Sequence, residues 1–313
     1  MAMLRVRAGG TLHRLAYDPA ATLSLREILE PTDFRVRTAC LGLGACGLCR
    51  IRVLAGEVGA VTEVERVQLG EALLAGRVRL ACQCRPIGEV EIEVLSLAPP
   101  SNWRVPPGGP GAIGPLRWGA DPVPSHAGAR PLGVAVDLGT SHISVAIVDL
   151  VRARPLALRV GPNPQGAHGA DVMTRLVVAG DPDHAATLAG LARAAVGEAL
   201  GEIARSEGID LQRVSQVQVV GNTAMLSLLA DRNHQRLLDP ANWSQPIECA
   251  PRETASWGRE WGLASAASIE VVAPLAGFVG SDLLAGVVAQ RLLDAAPPGL
   301  LIDFGTNSEI ALW

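Results

Sequence analysis

Apolar and polar residues alternate in several short stretches near the start of the chain, a pattern typical of half-buried β-strands. Such stretches predict five strands, at residues 4–7, 11–17, 50–56, 77–82 and 90–95. Two stretches with helical spacing, 23–30 and 63–74, predict helices between these strands. Residues 1–97 are therefore expected to form one compact α+β domain.

The next stretch, residues 98–130, is rich in proline and glycine and is expected to be an interdomain linker. Its composition does not support a core and is typical of a semi-rigid spacer. Trp103 and Trp118 are unusual in a tether, because each would expose a large apolar surface. We expect both side chains to dock on a domain face or on a second subunit, which leaves a homodimer open.

The rest of the chain contains one phrase twice, at residues 132–149 and 300–312. Each copy has an apolar strand, Asp, any residue, Gly, Thr, a small polar residue and a second apolar strand. This order predicts two β-hairpins, whose aspartates, Asp137 and Asp303, are 166 positions apart. Between them, an Asp-Pro start signal and an alanine-rich run predict a helix over 181–205 that packs on a sheet, with His184 in solvent near its start.

Composition limits the classes of protein that fit this chain. It has 313 residues, of which 49% are hydrophobic and 19% charged, as in a soluble globular protein with two or more domains. No apolar run approaches the length of a membrane span, and the first residues lack the apolar core of a secretory signal, which favours the cytoplasm. The net charge of −4 gives no indication of nucleic acid as a partner. All 27 basic residues are arginine, and without lysine a Walker A loop and a Schiff-base mechanism are excluded.

Cysteine spacing supplies the strongest chemical signal. Cys40, Cys46 and Cys49 are separated by five and two residues, and Cys82 follows after 32 more. This spacing predicts a [2Fe-2S] cluster, with one loop around three sides of the metal pair and a distant segment providing the last thiolate. A structural zinc site is the alternative, but zinc ribbons use two separate Cys-x-x-Cys pairs. The loop is also rich in glycine, which allows backbone N–H groups to approach the cluster sulfurs.

The fourth ligand is ambiguous from the residues alone, because Cys82 and Cys84 would share one face of a strand. The segment R-L-A-C-Q resembles the last-ligand segment of adrenodoxin-type ferredoxins, and the order of elements in residues 1–97 resembles that of the β-grasp ferredoxins. This resemblance implies that Cys82 binds iron and that Cys84 is a nearby free thiol. Cys249 is expected to be a buried apolar residue.

Each predicted hairpin has a Gly-Thr tip, which offers N–H groups and a hydroxyl to a phosphate, and an Asp suited to hold Mg²⁺ through water. Two ordinary turns are the alternative. The phrases resemble the phosphate loops of the acetate and sugar kinase, heat-shock chaperone and actin (ASKHA) superfamily, which implies an actin-like (ribonuclease H-like) α/β ATPase domain over 131–297, with a second half that starts at 298–313. The candidate nucleotide-binding residues are Asp137, Gly139, Thr140, Ser141, Asp303, Gly305, Thr306 and Asn307. Glu309 is a candidate to orient water, or else an exposed strand residue.

Together, the ferredoxin-like domain, the linker and the ATPase-like phrases resemble the reductive activators of corrinoid-dependent enzymes. Further phrases that fit this family lie at 163–176, 219–225 and 274–285. The resemblance implies that a corrinoid protein or methyltransferase stalled as Co(II) receives an electron from the cluster, with ATP and Mg²⁺, and returns to Co(I). The rival interpretations are a ferredoxin-type electron carrier with a nucleotide-sensing domain that does not hydrolyse ATP, and a docking module. The upstream reductant is left open.

An ATP clasp of the ASKHA superfamily has two halves, and the chain ends ten residues after Asp303. We therefore expect a fragment of a protein about twice as long, without the adenosine-binding half. Such a chain would bind its cluster but hydrolyse ATP poorly, so its status as an enzyme is left open. Asn222 is expected either to lie in a turn at a strand end or to cap a helix.

Overall fold

Each of the two units of the chain contains one five-stranded β-sheet. A computed structural model describes residues 1–38, 42–98, 101–106, 109–113, 131–294, 297–305 and 308–313. The first unit contains Met1–Ala112 and Glu202–Ile209, and the second contains Ile113–Gly201 and Asp210–Trp313.

The sheet of the first unit has five strands and two accompanying helices. The elements are β1 (Ala2–Ala8), β2 (Thr11–Tyr17), α1 (Leu25–Leu29), β3 (Arg50–Glu57), α2 (Glu63–Ala75), β4 (Val78–Leu80) and β5 (Ile87–Val94). The strand order is β2-β1-β5-β3-β4, with β1 parallel to β5 and the other pairs antiparallel. This is the β-grasp arrangement, so the predicted fold class of this unit is confirmed.

The alternation of apolar and polar residues predicts which strand residues form the core of the first unit. Leu4 and Val6 of β1 and Ile92 of β5 are fully buried. Arg5 and Arg7 point to the opposite, solvated face and pair with glutamates of β5. Each helix starts with a capping box, in which the side chain of an N-cap Ser or Thr and that of a glutamate three residues later satisfy free backbone N–H groups. The predicted helix over 63–74 is present as α2, but Gly70 interrupts it with a φ of 69°.

Among its described residues, the second unit contains a mixed sheet, a separate hairpin and five α-helices. Its elements are β6 (Leu132–Leu138), β7 (His142–Asp149), β8 (Arg154–Pro162), α3 (Val172–Val178), α4 (Pro182–Glu207), β9 (Val214–Gly221), α5 (Thr223–Ala230), α6 (Ala255–Glu260), β10 (Ser268–Val271), α7 (Ser281–Ala289), β11 (Leu300–Phe304) and β12 (Ser308–Leu312). The last few residues of α4 are counted with the first unit.

Strand order identifies the fold of the second unit. The sheet runs β10-β9-β6-β7-β8, with β6, β7 and β8 successively antiparallel and with β9 and β10 parallel to β6. This order is that of the ribonuclease H-like fold, as predicted. Both predicted hairpins are present, because β6 pairs with β7 and β11 pairs with β12 in antiparallel register.

Helix α4 extends the predicted helix by two residues at its C-terminal end and buries an apolar face that includes Leu188, Ala192 and Leu200. His184 is exposed near its start, as expected. Trp103, in the segment expected to be a linker, is 3% exposed and lies in the first unit. Trp118 lies outside the described residues. Over the described part of the chain, no helix combines the length and the apolarity needed to cross a membrane.

Candidate functional site

The first candidate site lies where β3 and β4 are neighbours. Cys49 immediately precedes β3, and Cys82 lies in the turn after β4. Antiparallel pairing of these strands, continued by the Ala81 amide that donates to the Cys49 carbonyl at 2.8 Å, brings the two cysteines together. Their Sγ atoms are 3.4 Å apart, and both side chains are buried. Cys46 lies on the same loop as Cys49 and is partly exposed, whereas Cys40 falls outside the described residues.

The loop that carries Cys46 and Cys49 packs tightly against its surroundings. The amide of Gln83 donates to the Gly42 carbonyl at 3.2 Å and to Cys82 Sγ at 3.5 Å. Gly44 has a φ of +81°, and a Cβ atom there would lie 2.5 Å from a methyl carbon of Val64. A residue with a side chain would therefore clash and be strained, so the close approach of this loop requires glycine.

Cys82 and Cys84 do not share a face. The expectation that they would is wrong, because β4 ends at Leu80 and residues 81–83 form a turn, where the two-residue period of a strand no longer applies. Cys84 is fully buried, its Sγ is 3.9 Å from an oxygen of Glu65, and burial raises its pKa to about 12. The Cys49 thiol donates to Cys82 and so lowers the pKa of Cys82 to about 6, with smaller contributions from Gln83 and Arg26.

These thiols fit a thiolate-bound metal pair. The 3.4 Å separation of Cys49 and Cys82 is too long for a disulfide and close to the roughly 3.8 Å between two thiolates on one tetrahedral metal with bonds of about 2.3 Å. Within the described residues, no group of three or more His, Cys, Asp or Glu side chains is arranged to hold a metal ion. Cys40, one of the four predicted ligands, lies outside the described residues, so that statement does not include it.

The second candidate site is the tip of the β6–β7 hairpin. The turn is tight, because the Gly139 amide donates to the His142 carbonyl at 3.0 Å and a Cβ on Gly139 would lie 2.8 Å from that oxygen. Asn163 holds both sides of the tip. Its backbone N–H donates to the Ser141 carbonyl at 2.8 Å, and its side-chain amide donates to the Gly139 carbonyl at 2.9 Å. This role was not predicted from the sequence, although Asn163 begins one of the family-like phrases.

Asn222 lies directly after β9, and the helix-cap alternative is the one that the structure shows. It is the N-cap of α5, where its side-chain oxygen accepts from the Met225 amide at 3.0 Å. Its side-chain nitrogen donates to the Thr140 hydroxyl at 3.1 Å. The helix cap therefore also orients the hydroxyl at the tip of the first hairpin.

Carboxylates converge near the two hairpins. Asp137 retains contact with solvent. Its pKa is nevertheless raised to about 6, chiefly because the surrounding protein partly desolvates the carboxylate and also because the carboxylates of Asp282 and Asp303 are nearby. Burial and the same two aspartates raise the pKa of Glu309, which is half-buried. Mutual repulsion of this kind is relieved by a bound cation.

Asp282, in the first turn of α7 and within the phrase at 274–285, was not among the predicted site residues. Burial is the main reason that its pKa is raised as well. The tight packing of Gly280 fixes its position, because a Cβ there would lie 2.3 Å from the Asp282 carboxylate and 2.4 Å from the Gly221 carbonyl. In the second hairpin, Gly305 is exposed, and Thr306 and Asn307 lie outside the described residues.

Asn163→Asp is expected to loosen the first hairpin tip. The variant keeps the oxygen that accepts from the Gln165 amide but loses the donor to the Gly139 carbonyl. An unpaired buried group costs about 1–3 kcal/mol, so amide hydrogen exchange should accelerate at Gly139 and at position 163, whose N–H groups donate to His142 and Ser141 across the tip, as measured by mass spectrometry. Asn242→Asp is the control, since it removes a similar donor to the Arg236 carbonyl elsewhere. Equal protection in wild type and Asn163→Asp would contradict this role.

The structure shows a protein in which a β-grasp domain with a buried thiol pair precedes a ribonuclease H-like unit in the sequence. The profile of the 2Fe-2S iron-sulfur cluster binding domain matches residues 10–86, and that of the RACo middle region matches residues 132–295. The second match covers more than half of the chain. The chain therefore belongs to the family of the reductive activators of corrinoid proteins.

Individual relatives agree with this assignment. The [Co(II) methylated amine-specific corrinoid protein] reductase of Methanosarcina barkeri is 26% identical over 194 residues, 58% of this chain and 34% of that protein. The corrinoid activation enzyme RamQ of Eubacterium limosum is 25% identical over 206 residues, 61% of this chain and 32% of that protein. The chain thus spans about a third of the length of these relatives.

A solved structure shows the same fold. The reductive activator for corrinoid,iron-sulfur protein aligns with 99% of this chain and 61% of its own, with a TM-score of 0.51 and 21% sequence identity.

Proposed function

We propose that this chain carries the electron-transfer and nucleotide-phosphate sites of an ATP-dependent activator that returns an electron to a corrinoid protein stalled as Co(II) and restores Co(I). The proposal rests on family membership together with one observation: the same chain holds a buried thiol pair, Cys49 and Cys82, and a phosphate-type turn at Gly139–Ser141. When bound, the cluster supplies a one-electron donor.

In this proposal, Cys40, Cys46, Cys49 and Cys82 hold the cluster. Burial of Cys49 and Cys82 excludes water from that side of the site. The Gln83 amide donates toward Cys82 Sγ, and this kind of contact orients a ligating thiolate and stabilises its negative charge. Cys84 lies outside the ligand set, because its thiol faces Glu65 rather than Cys49.

The nucleotide part of the proposal assigns the phosphate to the two hairpin tips and Mg²⁺ to the carboxylates. Asp137 and Asp303 would hold the ion through its water shell, and the nearby carboxylate of Asp282 adds negative charge around that position without being a ligand. Gly139, Thr140 and Ser141 contact phosphate from one hairpin, and Gly305, Thr306 and Asn307 from the other. ATP can drive electron transfer only if it binds one state of the complex with the corrinoid protein more tightly than the other.

The decisive experiment is anaerobic stopped-flow measurement of Co(II) loss from a purified corrinoid protein held as Co(II). We expect the reduced, cluster-loaded chain to convert Co(II) to Co(I) faster with MgATP than without it, because binding of the nucleotide phosphate, which does not require hydrolysis, favours one state of the complex. Asp137→Asn should keep the visible spectrum of the cluster but lose the ATP effect, because it weakens the magnesium site.

Two results would overturn parts of this function. Equal rates with and without MgATP would favour the simple electron carrier, which shares the cluster but not the coupling. Binding of the corrinoid protein without any electron transfer would favour a docking module.

A further inference from the structure

Two buried hydrogen-bond donors in the first unit lack an acceptor. They are the hydroxyl of Thr38 and the Nε atom of Arg26, and neither has a partner among the residues that the structure describes. A buried donor left unpaired costs about 1–3 kcal/mol, so such groups call for an acceptor that the described residues do not supply. Both donors lie next to the segments that carry the predicted cluster ligands.

Thr38 lies two residues before Cys40. The segment is extended and pinned to the chain near Leu97, since Val36 forms a bridge with Leu97 and the Arg37 amide donates to the Ser96 carbonyl at 2.8 Å. Val36 and Thr38 are buried and Arg37 between them is exposed, so the two buried side chains point to the interior. The Thr38 hydroxyl is thus enclosed, and it lies two positions before the first predicted ligand in the sequence.

Arg26 reaches the cluster loop from α1. Its backbone N–H donates to the Ala81 carbonyl at 3.1 Å, directly before Cys82. A Cβ built on Gly42 would lie 3.5 Å from an Nη atom of Arg26 and 4.0 Å from the Cys82 Cβ, so the guanidinium and Cys82 flank the same point of the loop. Its Nη2 donates to Glu207 at 3.0 Å, within the first unit, which fixes the side chain while Nε remains unpaired.

We propose that Thr38 and Arg26 donate hydrogen bonds to the sulfur atoms of the bound cluster and raise its reduction potential. The proposal rests on the ligand set of the proposed function. On one-electron reduction the cluster gains negative charge, so a hydroxyl donor and a cationic donor stabilise the reduced form more than the oxidised form. Both are positioning residues for the electron-transfer step and are not ligands.

The test is an electrochemical titration of the anaerobically prepared, cluster-loaded chain. Thr38→Val removes the hydroxyl at nearly constant volume, and Arg26→Gln removes the charge. Each change is expected to shift the reduction equilibrium against the reduced form by roughly tenfold, about 59 mV for one electron. Thr38→Ser should restore the wild-type potential, and Arg26→Lys should restore much of it.

Arg37→Gln is the matched control, because it removes a positive charge from the same segment at an exposed position. Its potential should stay near that of the wild type. The inference would be overturned if cluster-loaded Thr38→Val and Arg26→Gln both kept the reduction potential of the wild type. If one of these variants fails to bind the cluster, the reduction potential of the other variant decides. A wild-type chain that holds no [2Fe-2S] cluster would overturn the proposed function and this inference together.

Discussion

Cys82→Ser is expected to abolish the visible absorption and the bound iron of the anaerobically prepared chain, whereas Cys84→Ser should keep both. Cys82 Sγ lies 3.4 Å from Cys49 Sγ, so its loss removes one corner of the thiolate set. A serine hydroxyl at neutral pH is a poor replacement, because metal binding requires a deprotonated ligand. The Cys84 thiol instead contacts Glu65, and the pKa of about 12 that burial gives it favours the protonated form.

Cys249→Ser controls for the loss of any buried thiol. Cys249 is 1% exposed in the second unit, as expected for a core residue, and its Sγ lies 3.1 Å from the Ser227 hydroxyl. Circular dichroism would verify that all three variants fold. Loss of colour in Cys84→Ser alone would show that the fourth ligand has been assigned to the wrong cysteine.

Short-range sequence patterns predicted most of the strands of the first unit and both hairpins of the second. Period-two alternation located β1, β2, β3 and β5 to within a few residues, because each has one buried and one solvated face. The repeated Asp-x-Gly-Thr phrase located both hairpins, since a short turn between two apolar runs has few other solutions. Pairing between distant strands, such as β1 with β5, came only from the family resemblance, because sequence periodicity carries no information on partners.

The candidate sites were less accessible to sequence analysis. Periodicity failed at Cys82 and Cys84 because a turn begins at Ala81, and only three-dimensional packing separates their environments. Asp282 was not predicted, because its electrostatic influence on Asp137 depends on how α7 packs against the sheet. Glu65 gave no signal either, since a glutamate in the first turn of a polar helix is typical of a solvated position, whereas here it is fully buried.

Glu65→Gln is expected to lower the free energy of local unfolding of the first unit by about 3–5 kcal/mol, because it leaves the buried guanidinium of Arg79 without its counter-charge. Both carboxylate oxygens of Glu65 accept from Arg79 at 2.8 Å, and they also accept from the amides of Leu80 at 3.0 Å and Thr62 at 3.0 Å. One side chain thus joins the start of α2 to β4, two residues before Cys82. Native-state hydrogen exchange over α2 and β4 measures the effect.

The effect should also depend on pH. Burial alone would raise the pKa of Glu65, but hydrogen bonds from Arg79, Thr62 and Leu80 outweigh burial and hold the pKa below its ordinary value. A lowered folded pKa adds stability that is complete above the unfolded pKa and is lost as the pH falls through the folded pKa. The difference between wild type and Glu65→Gln should therefore shrink in acid.

Two further sets of substitutions distinguish the effect of breaking the buried Glu65–Arg79 pair from the effect of simply removing a charge. Glu63→Gln removes an exposed partner of Arg66 from the same helical turn and should cost less than about 1 kcal/mol. Replacing both buried partners, Glu65→Leu with Arg79→Met, should recover much of the stability, because no uncompensated charge then remains in the interior. If Glu65→Gln were as mild as Glu63→Gln, the buried pair would not be what holds β4 and the Cys82 turn against α2.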